Sequence, residues 1–271
     1  MTDVIETSST WLALREQEDA RARSADLAAA AVRLVTAPLT VHDLGSGTGS
    51  MMRWLAPRLP GPQTWVLHDW NEQLVQRAGE AGIPDDADGR PVAIRTRVAE
   101  LVEVGAGELR GASLVTASAL LDVLTSRELH AMAAACLQAR APVLLSLSVT
   151  GRVDLRPWHR LDEAFQNAFN AHQRRSTDGR RLLGPHAVAV ARGIFLQADW
   201  HVRPEETPWR LGPHDAELLT EWFEGWVHAA FEQDTALRSE ARAYLKMRRE
   251  QMRDGILSVA VHHKDLLAWP R

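Results

Sequence analysis

Short apolar runs and helically spaced apolar positions take turns along the first 150 residues. Residues 10–36 carry Leu27, Ala31, Leu34 and Val35 at helical spacing, with Ser9 or Thr10 as cap and Pro38 as the stop. The runs Leu39–Leu44, Thr64–His68, Pro91–Thr96, Ala112–Ser118 and Pro142–Val149 predict strands. Between them Met51–Leu59, Asn71–Glu80 and Ser126–Ala139, the last capped by Ser126, predict helices. The turn-rich, acidic stretch 82–90 predicts a surface loop. Strands that are apolar on both faces and alternate with helices imply a parallel sheet covered on both sides.

After Val149 the pattern changes. Helices are expected over Trp158–Arg175, from Gly184-Pro185 to Ala198, over Asp215–Phe231 and over 235–253. Trp200–Leu211 reads as extended, and Ile256–His263 as a last strand. In Asp215–Phe231 the residues Leu218, Leu219, Trp222, Phe223, Trp226, Ala230 and Phe231 share one face. Trp222 and Trp226 are read as core or dimer contact rather than as a substrate box. The sum is a five-stranded parallel core, two further strands and added helices.

Composition narrows the classes of function. A 45% hydrophobic, 24% charged chain is built like a soluble globular protein. No run reaches the roughly eighteen apolar residues of a membrane span, so no membrane partner is expected. The start Met1-Thr2-Asp3-Val4-Ile5-Glu6 lacks an apolar leader core. The single Cys136 rules out an internal disulfide and a multi-cysteine zinc site, and a cytoplasmic location is expected. A net charge of -4 speaks against nucleic acid as partner. The arginines and lysine between 238 and 253 read as the solvated face of a helix.

The candidate chemistry starts at Asp43-Leu44-Gly45-Ser46-Gly47-Thr48-Gly49. A strand that ends in an acid and opens through glycines into a helix can receive a nucleotide-like ligand, because a Cβ would block the approach. The spacing is not the dinucleotide fingerprint G-x-G-x-x-G, since Ser50 stands where its third glycine would fall, and no phosphate-loop Lys follows. That argues against a nucleotide-dependent oxidoreductase. The Asp43 carboxylate suits a cationic ligand better than a pyrophosphate.

Val41 to Gly49 resembles the first motif of the class I S-adenosylmethionine (SAM)-dependent methyltransferases. The resemblance covers residues 39–150 and, more loosely, the final strand. It implies an α/β, Rossmann-like, seven-stranded and mostly parallel sheet with helices on both faces and an added helical cap. It implies SAM as cofactor, held by Asp43, Gly45, Ser46, Gly47 and Gly49. In Val66-Leu67-His68-Asp69-Trp70, Asp69 stands where the family binds the ribose hydroxyls, and Trp70 could pack on adenine. The family's adenine-binding acid is expected after the third strand, where Val98 stands; backbone groups of Val98 and Ala99 are then the expected adenine contacts. The fourth strand, with Ala117 and Ser118, implies the side of the methionine moiety. Asp122 falls where many members carry His or Glu.

Methyl transfer is an in-line displacement that needs alignment above all, and a base only where the acceptor must lose a proton. Asp122, His159 and His172 are the candidate bases; the two histidines lie in a polar segment after the fifth strand. Of the N-terminal residues Trp11, Arg15, Asp19 and Arg23, an arginine could meet a carboxylate. Eleven scattered histidines form no convincing metal set, and no DPPY- or NPPY-like motif is present. The expected organisation is a cap over 1–37, a SAM-binding core over 38–150 and acceptor-side helices with the final strands over 151–271. The expected activity is methylation of a small molecule, with oxygen as the candidate acceptor atom. A non-catalytic SAM-binding accessory protein and a protein or RNA methyltransferase are the alternatives, and a homodimer stays open.

Overall fold

A computed structural model of the protein describes residues 8–177 and 179–271. The first seven residues of the expected 1–37 cap lie outside the described residues.

The helix expected over 10–36 is two helices, α1 (Ser9–Ala22) and α2 (Ala25–Val32). Ser8 and Ser24 cap them, accepting from the amides of Trp11 at 3.1 Å and Leu27 at 3.0 Å. Ser24 restarts the helix because its hydroxyl satisfies an amide that only a first turn leaves free. There follow β1 (Leu39–Leu44), α3 (Ser50–Leu55), β2 (Gln63–Asp69), α4 (Glu72–Glu80), β3 (Ala93–Val98), β4 (Leu114–Ser118) and α5 (Ser126–Ala139). Thr125, not Ser126, caps α5, in a reciprocal pair with Glu128.

The second half departs further from expectation. The fifth strand, β5, runs over Val143–Arg156 instead of stopping at Val149. Helix α6 therefore begins at Asp162 rather than Trp158 and ends at His172. A small hairpin, β6 (Ser176–Thr177) and β7 (Arg180–Arg181), precedes α7 (Ala187–Gln197). The extended stretch 200–211 splits into β8 (His201–Glu206) and β9 (Trp209–Leu211). Helix α8 spans Ala216–Gln233, α9 Leu237–Glu240 and α10 Arg242–Arg253, so that 235–253 is broken at Ala241. The last strand, β10, covers Ser258–Trp269.

The sheet order is β3-β2-β1-β4-β5-β10-β8, with β9 also on β10. Strands β1 to β5 pair in parallel, and β10 enters antiparallel between β5 and β8. Since β8 and β9 follow one another along the same side of β10, the sheet has seven strand positions. This is a Rossmann-like α/β arrangement, with helices on both faces of the sheet and further helices added before and after its parallel half.

Three apolar clusters carry it. Val41, Trp65, Leu67 and Leu144 pack against α2 and α3 on one face, and Val115, Val143 and Leu145 against α5 and α7 on the other. The third cluster joins the far halves of β5 and β10 to α6, α8 and α10, and Trp222 and Trp226 are buried within it. Each large buried side chain there contributes about 1.5–3 kcal/mol. Among the described residues no helix is long and apolar enough to cross a membrane.

Candidate active site

Parallel pairing brings the carboxyl ends of β1 and β2 side by side, with Asp43 opposite Leu67 and Leu44 opposite His68. Ligands of open α/β sheets bind at such strand tips. A cleft of about 500 Å³ opens there, walled by the glycine loop, the ends of β2 and β4, and α1.

The loop is shaped for close approach. Gly45, Gly47 and Gly49 have φ of +62°, +53° and +83°, the left-handed region that glycine adopts without strain. A Cβ on Gly45 would stand 2.7 Å from Leu120 Cδ1. The Gly47 amide donates to Asp69 Oδ2 at 2.8 Å and the Asn71 amide to Asp69 Oδ1 at 3.0 Å. Asp69 thus ties the loop to β2 and keeps lone pairs for a further donor. Burial holds its carboxyl above the ordinary carboxylate range.

Asp43 is buried; its Oδ1 accepts from Thr116 Oγ1 at 2.6 Å, and its Oδ2 has no partner. Burial pushes its carboxyl up to about 7, against the pull of Thr116 and Arg23. Ser46 Oγ is likewise buried and unpartnered. Arg23, at the joint of α1 and α2, is 4% exposed. Its Nη2 donates to Ser50 Oγ and Ser118 Oγ, each at 3.0 Å, while Nε and Nη1 have no partner. Burial lowers its affinity for the proton. An arginine, three serines and an aspartate therefore meet at the strand tips with hydrogen-bonding capacity left over. Such groups cost free energy unless something pairs with them.

Helix α1 lies across this loop. Leu12 would touch a Cβ on Gly47 at 3.3 Å, and Glu16 receives a two-bond grip from Arg53, each bond 2.7 Å. Arg15 pairs with Asp19 and stacks over Trp209, whose Nε1 donates to Asp19 at 3.0 Å. At the other end of the cleft Arg180, from the unforeseen hairpin, bonds Glu128 at 2.9 Å.

The other expected site residues are spread. Gly45, Ser46, Asp43, Asp69, Trp70 and Ser118 line the cleft, and Ala117 is buried beside it in β4. Gly47 and Gly49 shape the loop from behind. Val98 is exposed on the sheet edge, and the Ala99 amide is spent on the Asp69 carbonyl at 3.1 Å. Glu100 and Leu101, next along, reach the cleft wall instead. The signal for Glu100 was an acid two residues beyond the expected place.

Asp122 is half-buried and is not itself among the residues lining the cleft, although its neighbours Leu120 and Val123 are; burial pushes its carboxyl up to about 6. His159 and His172 are not brought to this cleft. His159 packs on Tyr244, ring centroids 5.1 Å apart, and His172 bonds Glu232 at 2.7 Å. Both serve the helical layer around α6. Among the described residues no cluster of His, Cys, Asp and Glu could hold a metal ion.

No protein-family model matches this chain, and no curated protein does. Solved structures of similar shape exist. One belongs to a protein studied for the conversion of a disulfide bond into a thioacetal group during echinomycin biosynthesis. It has 16% identity over 99% of this chain and 84% of that one, with a TM-score of 0.45. A mycolic acid cyclopropane synthase complexed with SAH has 13% identity, covers 89% and 82%, and scores 0.47. Magnesium protoporphyrin IX methyltransferase from Synechocystis PCC 6803, with bound SAH, has 17% identity, covers 74% and 82%, and scores 0.44. The strand order, rather than these distant likenesses, defines the fold of this chain.

Proposed function

We propose that this protein is a SAM-dependent methyltransferase that acts on a small molecule at oxygen. The observation that carries this reading is the set of buried polar atoms without partners at the tips of β1 and β4: Asp43 Oδ2, Ser46 Oγ, and Arg23 Nε and Nη1. A ligand carrying an ammonium and a carboxylate on one carbon matches an orphaned carboxylate beside an orphaned guanidinium. SAM has that headgroup, an adenosine with a vicinal diol, and one further positive charge.

In this reading Asp43 and Ser46 hold the ammonium end, Arg23 the carboxylate, and Asp69 the diol. Trp70, Leu101 and Glu100 wall the adenine. When bound, SAM supplies an activated methyl group on a sulfonium. The chain's own task is to fix the two reactants and exclude water. The apolar side chains Leu12, Leu120 and Val123 line the cleft and keep water out. A hydroxyl acceptor loses a proton on attack, and Asp122 takes it; a carboxyl raised to about 6 is charged at neutral pH yet more basic than an ordinary aspartate. The proposed organisation gives residues 38–150 the cofactor and leaves the helices on either side, 1–37 and those after 151, to enclose the acceptor.

Titration calorimetry with SAM tests the reading. Wild type should bind, and Arg23→Met should bind about 10- to 100-fold more weakly, the worth of a charge-assisted hydrogen-bond pair. Asp122→Asn should bind SAM as wild type does and lose turnover. No heat and no thermal shift with millimolar SAM would falsify the proposal.

A further inference from the structure

The parallel part of the sheet is covered on both faces; the antiparallel part beyond Gly151 is covered on one. Along the far half of β5, along β9 and along the first half of β10, burial alternates residue by residue. Val153, Leu155, Trp209, Leu211, Val259 and Val261 face the helical layer. The opposite face is open and polar. Across it Arg210, Ala260 and Asp154 stand in one row, and Arg156 stands beside Ser258 in the next. Arg152 shares Asp154 with His262. Small residues in the middle strand keep this face flat, with arginines on both flanks.

At its distal end stand two large exposed apolar side chains, Trp158 at 74% and Ile256 at 57% exposure. Buried Arg248 braces the chain next to both, directly at Pro157 and through Gln251 at Ile256. Arg248 Nη1 donates to the Pro157 carbonyl at 2.6 Å and to Gln251 Oε1 at 2.8 Å, and the Ile256 amide donates to the Gln251 carbonyl at 2.8 Å. The two side chains are thus presented to solvent from a braced support.

The chemistry selects the occupant. A second copy packed face to face would set arginine against arginine. A single-stranded nucleic acid stacks on aromatic rings and has no use for an aliphatic side chain at the tip. An anionic bilayer uses both features: tryptophan and isoleucine enter the headgroup boundary, and arginines meet lipid phosphates. We propose that this open face docks on an anionic membrane surface, with Trp158 and Ile256 as anchors and Arg156 and Arg210 on the headgroups. The inference is independent of the cofactor.

Co-sedimentation with vesicles tests it, using phosphatidylcholine alone and phosphatidylcholine with 30 mol% (roughly physiological anionic content) phosphatidylglycerol. Wild type should bind the anionic vesicles only, and less in high salt. W158S/I256S and R156E/R210E should each bind about tenfold more weakly or worse. Leu196→Ser, an exposed apolar residue of α7 elsewhere on the surface, should bind like wild type. All these side chains are exposed, and matching thermal unfolding will show that the variants fold. Equal binding by all variants, or none by wild type, overturns the proposal. So does binding to an oligonucleotide in place of vesicles, or a dimer in solution that W158S/I256S dissociates.

Discussion

Asp43 owes its behaviour to burial. A carboxyl pushed up to about 7 is half protonated at neutral pH. A cationic headgroup favours its charged form, so binding releases a proton and affinity rises as pH climbs from 6 to 7.5. The slope cannot exceed about tenfold per pH unit, the limit for one proton. Calorimetry in two buffers of different ionisation enthalpy should show the released proton, and Asp43→Asn should show weaker, flat binding. Proton-neutral binding by the wild type would sink this account. Asp43, Asp69 and the three glycines were legible in the sequence, because a turn with positive φ and its flanking acids are local matters. Glu100 was hidden by two residues of irregular chain after β3. Arg23 could be seen only as one of several polar residues on a helix; its burial depends on the α1–α2 joint, which no local pattern announces. His159 and His172 were plausible bases by residue type, but Tyr244 and Glu232, each more than fifty positions away, hold them elsewhere.

The elements after Val149 were the hardest to read. The polar residues Arg152, Asp154 and Arg156 look like connecting chain, yet they are the outer half of a strand whose inner half is Val153 and Leu155. One-sided strands carry this alternation, and it is short enough to pass for a loop. The arginine-rich stretch 238–253 read as a solvated helix face, but one member is the reverse. Arg248 is fully buried and makes two bonds, 2.6 and 2.7 Å, to Asp162, joining α10 to α6. Tyr244 donates to the same carboxylate at 2.8 Å. Removing one partner of a buried pair strands the other charge, at a cost of about 3–5 kcal/mol. Asp162→Ala should therefore lower the urea midpoint sharply, and Asp162→Leu with Arg248→Met should recover most of the loss. A single variant as stable as wild type would show that the pair holds nothing.

At the scale of the molecule, one sheet serves two purposes. Its parallel strands β1 to β5 offer tips to a ligand, and its antiparallel extension carries the helical layer. Strand order beyond β5 was not legible, since apolar runs state that a strand exists but not which neighbours it takes. β10 was expected last in the chain and is placed between β5 and β8, so the third apolar cluster shares strands with the other two. Such a molecule should unfold in one step. Saturation with SAM at about 100 times its dissociation constant adds roughly 2.7 kcal/mol, a rise in Tm of about 5 °C for a chain of this length. Scanning calorimetry should show one peak that moves as a whole; two peaks, with only one moving, would mean that the helical layer is a separate unit.

Arg23 also sets a sequence of events in time. The residue is 4% exposed, and its guanidinium lies beside Ser50 and Ser118. On the proposed reading a ligand carboxylate meets Arg23, yet Arg23 is not among the residues that line the cleft. That reading requires α1 to move off the glycine loop before the carboxylate arrives and to return after it. Loading would then have a ceiling: past a certain ligand concentration, more ligand brings no faster filling, because the protein and not diffusion keeps the clock.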